Sequence, residues 1–178
     1  MGNKIGAIVA NAKMAERTAT VCTRGDLNAE IEDLQRRLLE ADRDFVKQSL
    51  SDVSPARDLA AAIEALREQM QADEHVFKFR ALSPVAWSDL LAEHPPRDGH
   101  EEVWNLETFP AACVAACCVA IDGEPETLDV AEVESLFGVL NSKQRDDLFD
   151  AAYRVNVKST DVPFSALASK ILHSTAQS

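Results

Sequence analysis

Thirteen consecutive residues from Phe109 to Ile121 are apolar, and they include Pro110 and three of the four cysteines, Cys113, Cys117 and Cys118. The run is well short of the about 20 residues that cross a bilayer. Gly123 ends it, and its residues read as a helix from about 110 to 121 that is Ala, Val and Cys nearly all round. A helix without a polar face belongs in a core. Whatever else the chain does, it has to enclose this segment.

The flanking sequence supplies candidates. Val76, Phe77, Phe79 and Leu82, interleaved with Lys78 and Arg80, read as a strand of about six residues. Ser83 before Pro84 is a helix N-cap followed by a proline already set at the right φ, and the helix carries Trp87, Leu90 and Leu91 on one face. Pro95 and Pro96 end it. The stretch 94–102 is a loop by composition, and Trp104, Leu106 and Phe109 lead into the apolar run. Further on, Asp129 with Glu132 fits a capping box ahead of Val133, Leu136, Phe137 and Leu140. Asn141 with Gln144 starts a last clear helix through Leu148, Phe149, Ala152 and Tyr153 to about 157. Four helices with short connections can enclose one small core. The tail from 159 offers at best a short helix.

The N-terminal half is different. Residues 1–25 form a weakly periodic arm in which Arg17–Cys22 could make a short strand. From Leu27 the apolar positions Leu27, Ile31, Leu34, Leu38 and Phe45 hold one narrow stripe on a helix, with Asp26 placed as its cap. Ser54 and Pro55 open a second helix with Leu59, Ile63, Leu66 and Met70 on one face. Helices of about 25 and 18 residues can fold back as a hairpin. A stripe this narrow is a coiled-coil seam, to be covered by another copy, a partner or the hairpin's own second arm. The fold expected is mainly α: an arm (1–25), a coiled-coil-like helical hairpin (26–73), and a strand-like linker opening a small C-terminal helical domain (74–158), then a tail (159–178).

Composition excludes several classes of function. The chain is 46% hydrophobic with a formal charge of −12, which sets it against the phosphate backbone of a nucleic acid. Four bases against one acid make residues 1–25 the one positive stretch. The six-residue apolar run at 5–10 is shorter than a signal-peptide core, so neither secretion nor a membrane anchor is expected. The cysteines lack the spacing of a disulfide scaffold or a zinc site and are expected buried and inert, in a reducing cytoplasm. No nucleophile with its base, phosphate loop or cofactor motif is evident, so binding rather than catalysis is expected. Trp87 and Trp104 flank the Pro95-Pro96 loop. They read as core anchors or as the walls of a partner groove rimmed by Glu93, Asp98, Glu101 and Glu102.

Four strings, RTATVCTRGDLNAEIEDL (17–34), FKFRALSPVAWSDLLAEHPPR (77–97), VWNLETFPAACVAACC (103–118) and LFGVLNSKQRDDLFDAAYRVNV (136–157) with VPFS at 162–165, resemble the tail assembly chaperones of long-tailed phages that infect actinobacteria. The resemblance implies a small, acidic, helical, non-enzymatic protein. Such a protein binds the tape-measure protein in the host cytoplasm, keeps it soluble during tail assembly and is absent from the finished particle. It also implies a longer, frameshifted form of the chain. The alternative is a dimeric structural component of the particle or a cytoplasmic helical adaptor. In either case Trp87, Leu90, Leu91, Trp104, Leu106 and Phe109 are the candidate partner-binding residues, and the Leu27–Phe45 stripe is the candidate surface for a homo-oligomer.

Overall fold

The computed structural model describes residues 3–44 and 56–158, so the expectations placed on Phe45, on the Ser54-Pro55 cap and on the tail lie outside the described residues. The segment expected to be a linker is the centre of a sheet. Strand β1 (Glu16–Cys22) pairs antiparallel with β2 (Glu74–Arg80), with Ala19 opposite Phe77 and Arg17 opposite Phe79. The apolar run does not stay helical to its end: α5 (Phe109–Cys117) stops short of it, and Cys118–Ile121 turns extended as β3, paired with the other edge of β2. A short β4 (Glu124–Pro125) completes the order β1-β2-β3-β4. The expected mainly α fold, a hairpin and a helical domain joined by a linker, is therefore corrected to helices built around a four-stranded antiparallel sheet. Alternation explains which face of β2 is covered. Phe77 and Phe79 are buried on one face, while Lys78 and Arg80 on the other reach Glu16 across the sheet at 2.6 and 2.8 Å.

The turn between β3 and β4 has Asp122 at φ 52° and Gly123 at φ 85°. Two successive left-handed residues match the twist of a two-residue hairpin, and Asp-Gly is the pair that tolerates them best. Asp122 also ties the turn to β2, accepting from the Val76 amide (2.7 Å) with its second oxygen 2.8 Å from His75 Nδ1.

The remaining helices are α1 (Lys4–Asn11), α2 (Asn28–Asp44) after a 3-10 turn at Gly25–Leu27, α3 (Ala56–Ala72), α4 (Pro84–Glu93), α5 (Phe109–Cys117), α6 (Val130–Phe137) and α7 (Ser142–Val157). The caps are those the sequence indicates for three of them. Ser83 accepts from Ala86 N, and both capping boxes, Asp129 with Glu132 and Asn141 with Gln144, are formed in both directions. Asp26 instead takes the Arg24 guanidinium within the 3-10 turn. Helices α2 and α3 pack along each other, with Leu27 and Ile63 buried and Ile31, Leu34 and Leu38 half-buried, and they lie between two strands that pair directly. The helical hairpin thus stands where a β-hairpin would have its turn. Its root is stitched by Thr23 N to Asp73 O (3.1 Å) and Cys22 Sγ to Met70 O (3.3 Å).

Helices α5 and α7 cover the inner face of the sheet, α6 and α4 flank α5, and Val21, Phe77, Phe79, Phe109, Val133 and Leu148 meet in one core. Asn156 of α7 joins three of these elements. Its Oδ1 accepts from Leu82 N (2.8 Å) at the exit of β2, and its Nδ2 donates to Cys117 Sγ (3.2 Å) and Ala152 O (2.9 Å). Replacing it with Ala strands a part-buried amide, so Asn156→Ala is expected to lower unfolding free energy by about 1–3 kcal/mol in urea titrations, without loss of helix content.

Candidate functional site

The segment 94–108 between α4 and α5 is fastened at several points. Asn105 N donates to His94 O (3.0 Å), His94 Nδ1 lies 2.8 Å from Thr108 Oγ1, and the Asn105 side chain accepts from Glu107 N (2.9 Å) and Thr108 N (3.3 Å). Within the loop Arg97 grips Glu102 with both ends of its guanidinium (2.9 and 3.0 Å) and with its own amide (2.9 Å), and it also reaches Glu107. This two-pronged bond is the strongest geometry an arginine and a carboxylate have. It fixes the loop two residues before Trp104.

Trp104 is consequently laid onto an aromatic cluster. Its ring centroid is 5.1 Å from Phe109, 5.0 Å from Tyr153 and 6.3 Å from Phe149, while Trp87 approaches the same Phe109 and Tyr153 at 5.9 and 5.7 Å. Both tryptophans therefore belong to one cluster, with Phe109 and Tyr153 filling the space between them. The Trp104 Nε1 is buried without an acceptor, which makes the indole's position a matter of packing alone.

Two apolar openings lie beside this cluster. One, of about 240 Å³, is lined by Leu106, Pro110, Phe137 and Phe149 together with the charged Glu107, Arg145 and Asp146. Leu106 is 55% exposed there, and Val103 close by is 79% exposed. The second lies between α4, α5 and the start of α6, and Leu90 is one of its walls. Of the residues singled out from sequence, Trp87, Trp104 and Phe109 come together and Leu106 edges the first opening. Leu90 faces the second, and Leu91 packs against the core. Phe137 and Phe149 are the residues that sequence reasoning missed as site residues. Each reads as one apolar position on a helix face, and only the packing of α6 and α7 against Pro110 turns them into a pocket wall.

Cys113 and Cys117 are fully buried and line neither opening, whereas Cys118, nearly buried, is among the residues lining the second. The hydrogen bond between Cys113 and Cys117 raises the Cys113 thiol, with burial adding to it, and lowers that of Cys117, while burial raises that of Cys118. Among the described residues no group of three or more His, Cys, Asp or Glu could hold a metal ion, and no helix is long and apolar enough to cross a membrane. What the site can do is seat an apolar side chain.

The loop lock gives a pH-dependent signature. The Arg97 side chain first, and its backbone amide second, lower the Glu102 carboxyl from 4.5 to about 2. A carboxylate depressed in the folded state stabilises it above its ordinary pKa, and that contribution is lost as pH falls from about 4.5 towards 2. Tryptophan emission is therefore expected to shift to the red over that interval, and Glu102→Gln should already show the shifted emission at pH 7 and lack the acid step. An unchanged titration in the variant would show that the lock does not hold Trp104. No protein-family model matches the chain, and neither a curated protein nor a solved structure matches it.

Proposed function

We propose that this chain is a non-enzymatic binding module that acts as a phage tail assembly chaperone, holding apolar stripes of tape-measure helices in the host cytoplasm until the tail is built. The observation that carries the reading is the seat formed by Leu106, Pro110, Phe137 and Phe149, open to solvent and joined through Phe149 to the rings of Trp104, Phe109 and Tyr153. A rigid apolar recess is the form in which one anchoring side chain of a partner helix is held, and the Arg97–Glu102 lock limits the ordering cost of binding. The resemblance across 17–165 supports the identity of the partner, and it also brings in a longer frameshifted form as an associate. Acidic faces keep the loaded complex dispersed. The protein is left behind when the particle is complete.

The protruding hairpin favours a second reading, a dimeric structural component of the particle or a helical adaptor, because the α2 stripe is only half-covered by α3. The two readings separate on where the protein is found. Co-purification with the tape-measure protein from infected cells, with absence from purified particles, supports the chaperone; presence at stoichiometric copy number in particles supports the structural component. Leu106→Asp is expected to weaken tape-measure binding by about 2 kcal/mol or more while the thermal midpoint stays within a degree or two, because the side chain is exposed. Normal affinity in that variant would remove the seat from the mechanism. The structural reading instead expects Leu34→Asp with Leu38→Asp to lower the sedimentation mass.

A further inference from the structure

Helix α1 exposes apolar side chains without a neighbour that covers them. Ile5, Ile8 and Val9 fall at i, i+3 and i+4 on one face, are 68%, 64% and 69% exposed, and no residue of the helix is buried. Its fastening is an Asn3 cap on Ile5 N (3.1 Å), and an eight-residue helix is marginal in water without tertiary support. It is also cationic: Lys4 opens it, Lys13 follows it, and the next acid is Glu16.

The second opening beside the aromatic cluster has complementary features. It is about 630 Å³, with a floor of small residues, Ala112, Ala115 and Ala116, and walls of Leu90, Leu128 and Val130. A floor of alanines lets a helix approach closely, and Val130 is 42% exposed. Glu93 and Asp129 stand at the rim, with Asp89 one turn before Glu93 on the same helix. A short apolar stripe on a basic helix thus faces, elsewhere on the same chain, an apolar groove with an acidic rim.

We propose that α1 of one copy docks in the α4–α5–α6 groove of a second copy. The arm's own root argues for exchange between copies. Ala15 is fixed to Ala81 (2.9 Å) beside the start of α4, Leu90 and Glu93 lie at the far end of that helix, and α1 is not seated in its own groove. The contact uses neither the Leu106 seat nor the α2 stripe, so it stands or falls independently of the proposed function.

The test is the solution mass of the full chain by sedimentation equilibrium at tens of micromolar. The wild type should run as two or more copies, with at least a tenfold weaker association when salt is raised from about 0.05 to about 0.5 M. Ile8→Asp removes the stripe from a helix that buries nothing, and Ala116→Arg fills an exposed point of the floor with like charge. Each should be monomeric with unchanged circular dichroism and thermal midpoint. Mixing the two variants should restore a two-copy species, because one supplies an intact groove and the other an intact α1. A wild type that is monomeric, with or without α1 folded onto its own groove, overturns the proposal. So does a mass that survives Ile8→Asp, or a mixture that stays monomeric.

Discussion

Phe109 has no exposed surface and touches four other rings, those of Trp87, His94, Trp104 and Phe149. It opens a helix that is apolar on every side, and such a helix is stable only if each side is given a different neighbour. The strand β2 and helix α7 take the side towards the sheet, α6 takes another, and α4 with its loop takes the end where Phe109 lies. The caps, the loop lock and the Asn156 hydrogen bonds all act to hold these neighbours in place. The molecule's second half is therefore arranged around a segment that contributes no polar contact of its own apart from backbone and thiol.

The helices that cover α5 were legible because their starts are written locally. Ser83-Pro84, Asp129 with Glu132 and Asn141 with Gln144 satisfy backbone amides within three residues, so each signal needs no tertiary knowledge. Two strands of the sheet, near 17–22 and 76–82, were also legible, but their pairing and the strands after α5 were not, for the opposite reason. Glu16 pairs with Arg80 and Phe79 with Cys118, partners separated by some 40 to 64 residues, and a four-residue apolar segment such as Cys118–Ile121 has no periodicity that distinguishes a buried strand from the last turn of a buried helix. The same limit applies to the site. Trp104 and Phe109 stand out as large aromatic residues beside a proline loop, whereas the bond from Arg97 to Glu102, five residues on, is one of many acid and base pairings the composition would allow.

The two apolar openings differ in what surrounds them. The Leu106 seat is bounded by long side chains and is narrow, suited to a single anchoring group. The groove beside Leu90 has a floor of alanines and is wide, suited to a backbone. Placing them on either side of one aromatic cluster lets the same rigid unit support both without either borrowing residues from the other, Phe137 and Phe149 serving the first and Leu90, Leu128 and Val130 the second.

The insertion of a helical hairpin between β1 and β2 has a consequence for how the chain reaches its native state during synthesis. Strand β1 emerges early, yet its partner among the described residues, β2, follows more than fifty residues later, so the edge that will face β2 waits until residue 80 has left the ribosome. Closing that interval as random coil would carry the loop-closure entropy of a long flexible chain. Helices α2 and α3 are local and fold quickly, and once paired they bring residues 22–24 next to 70–74, so the long loop behaves as a short one. The hairpin thus shortens the effective loop between two paired strands as well as presenting a surface of its own.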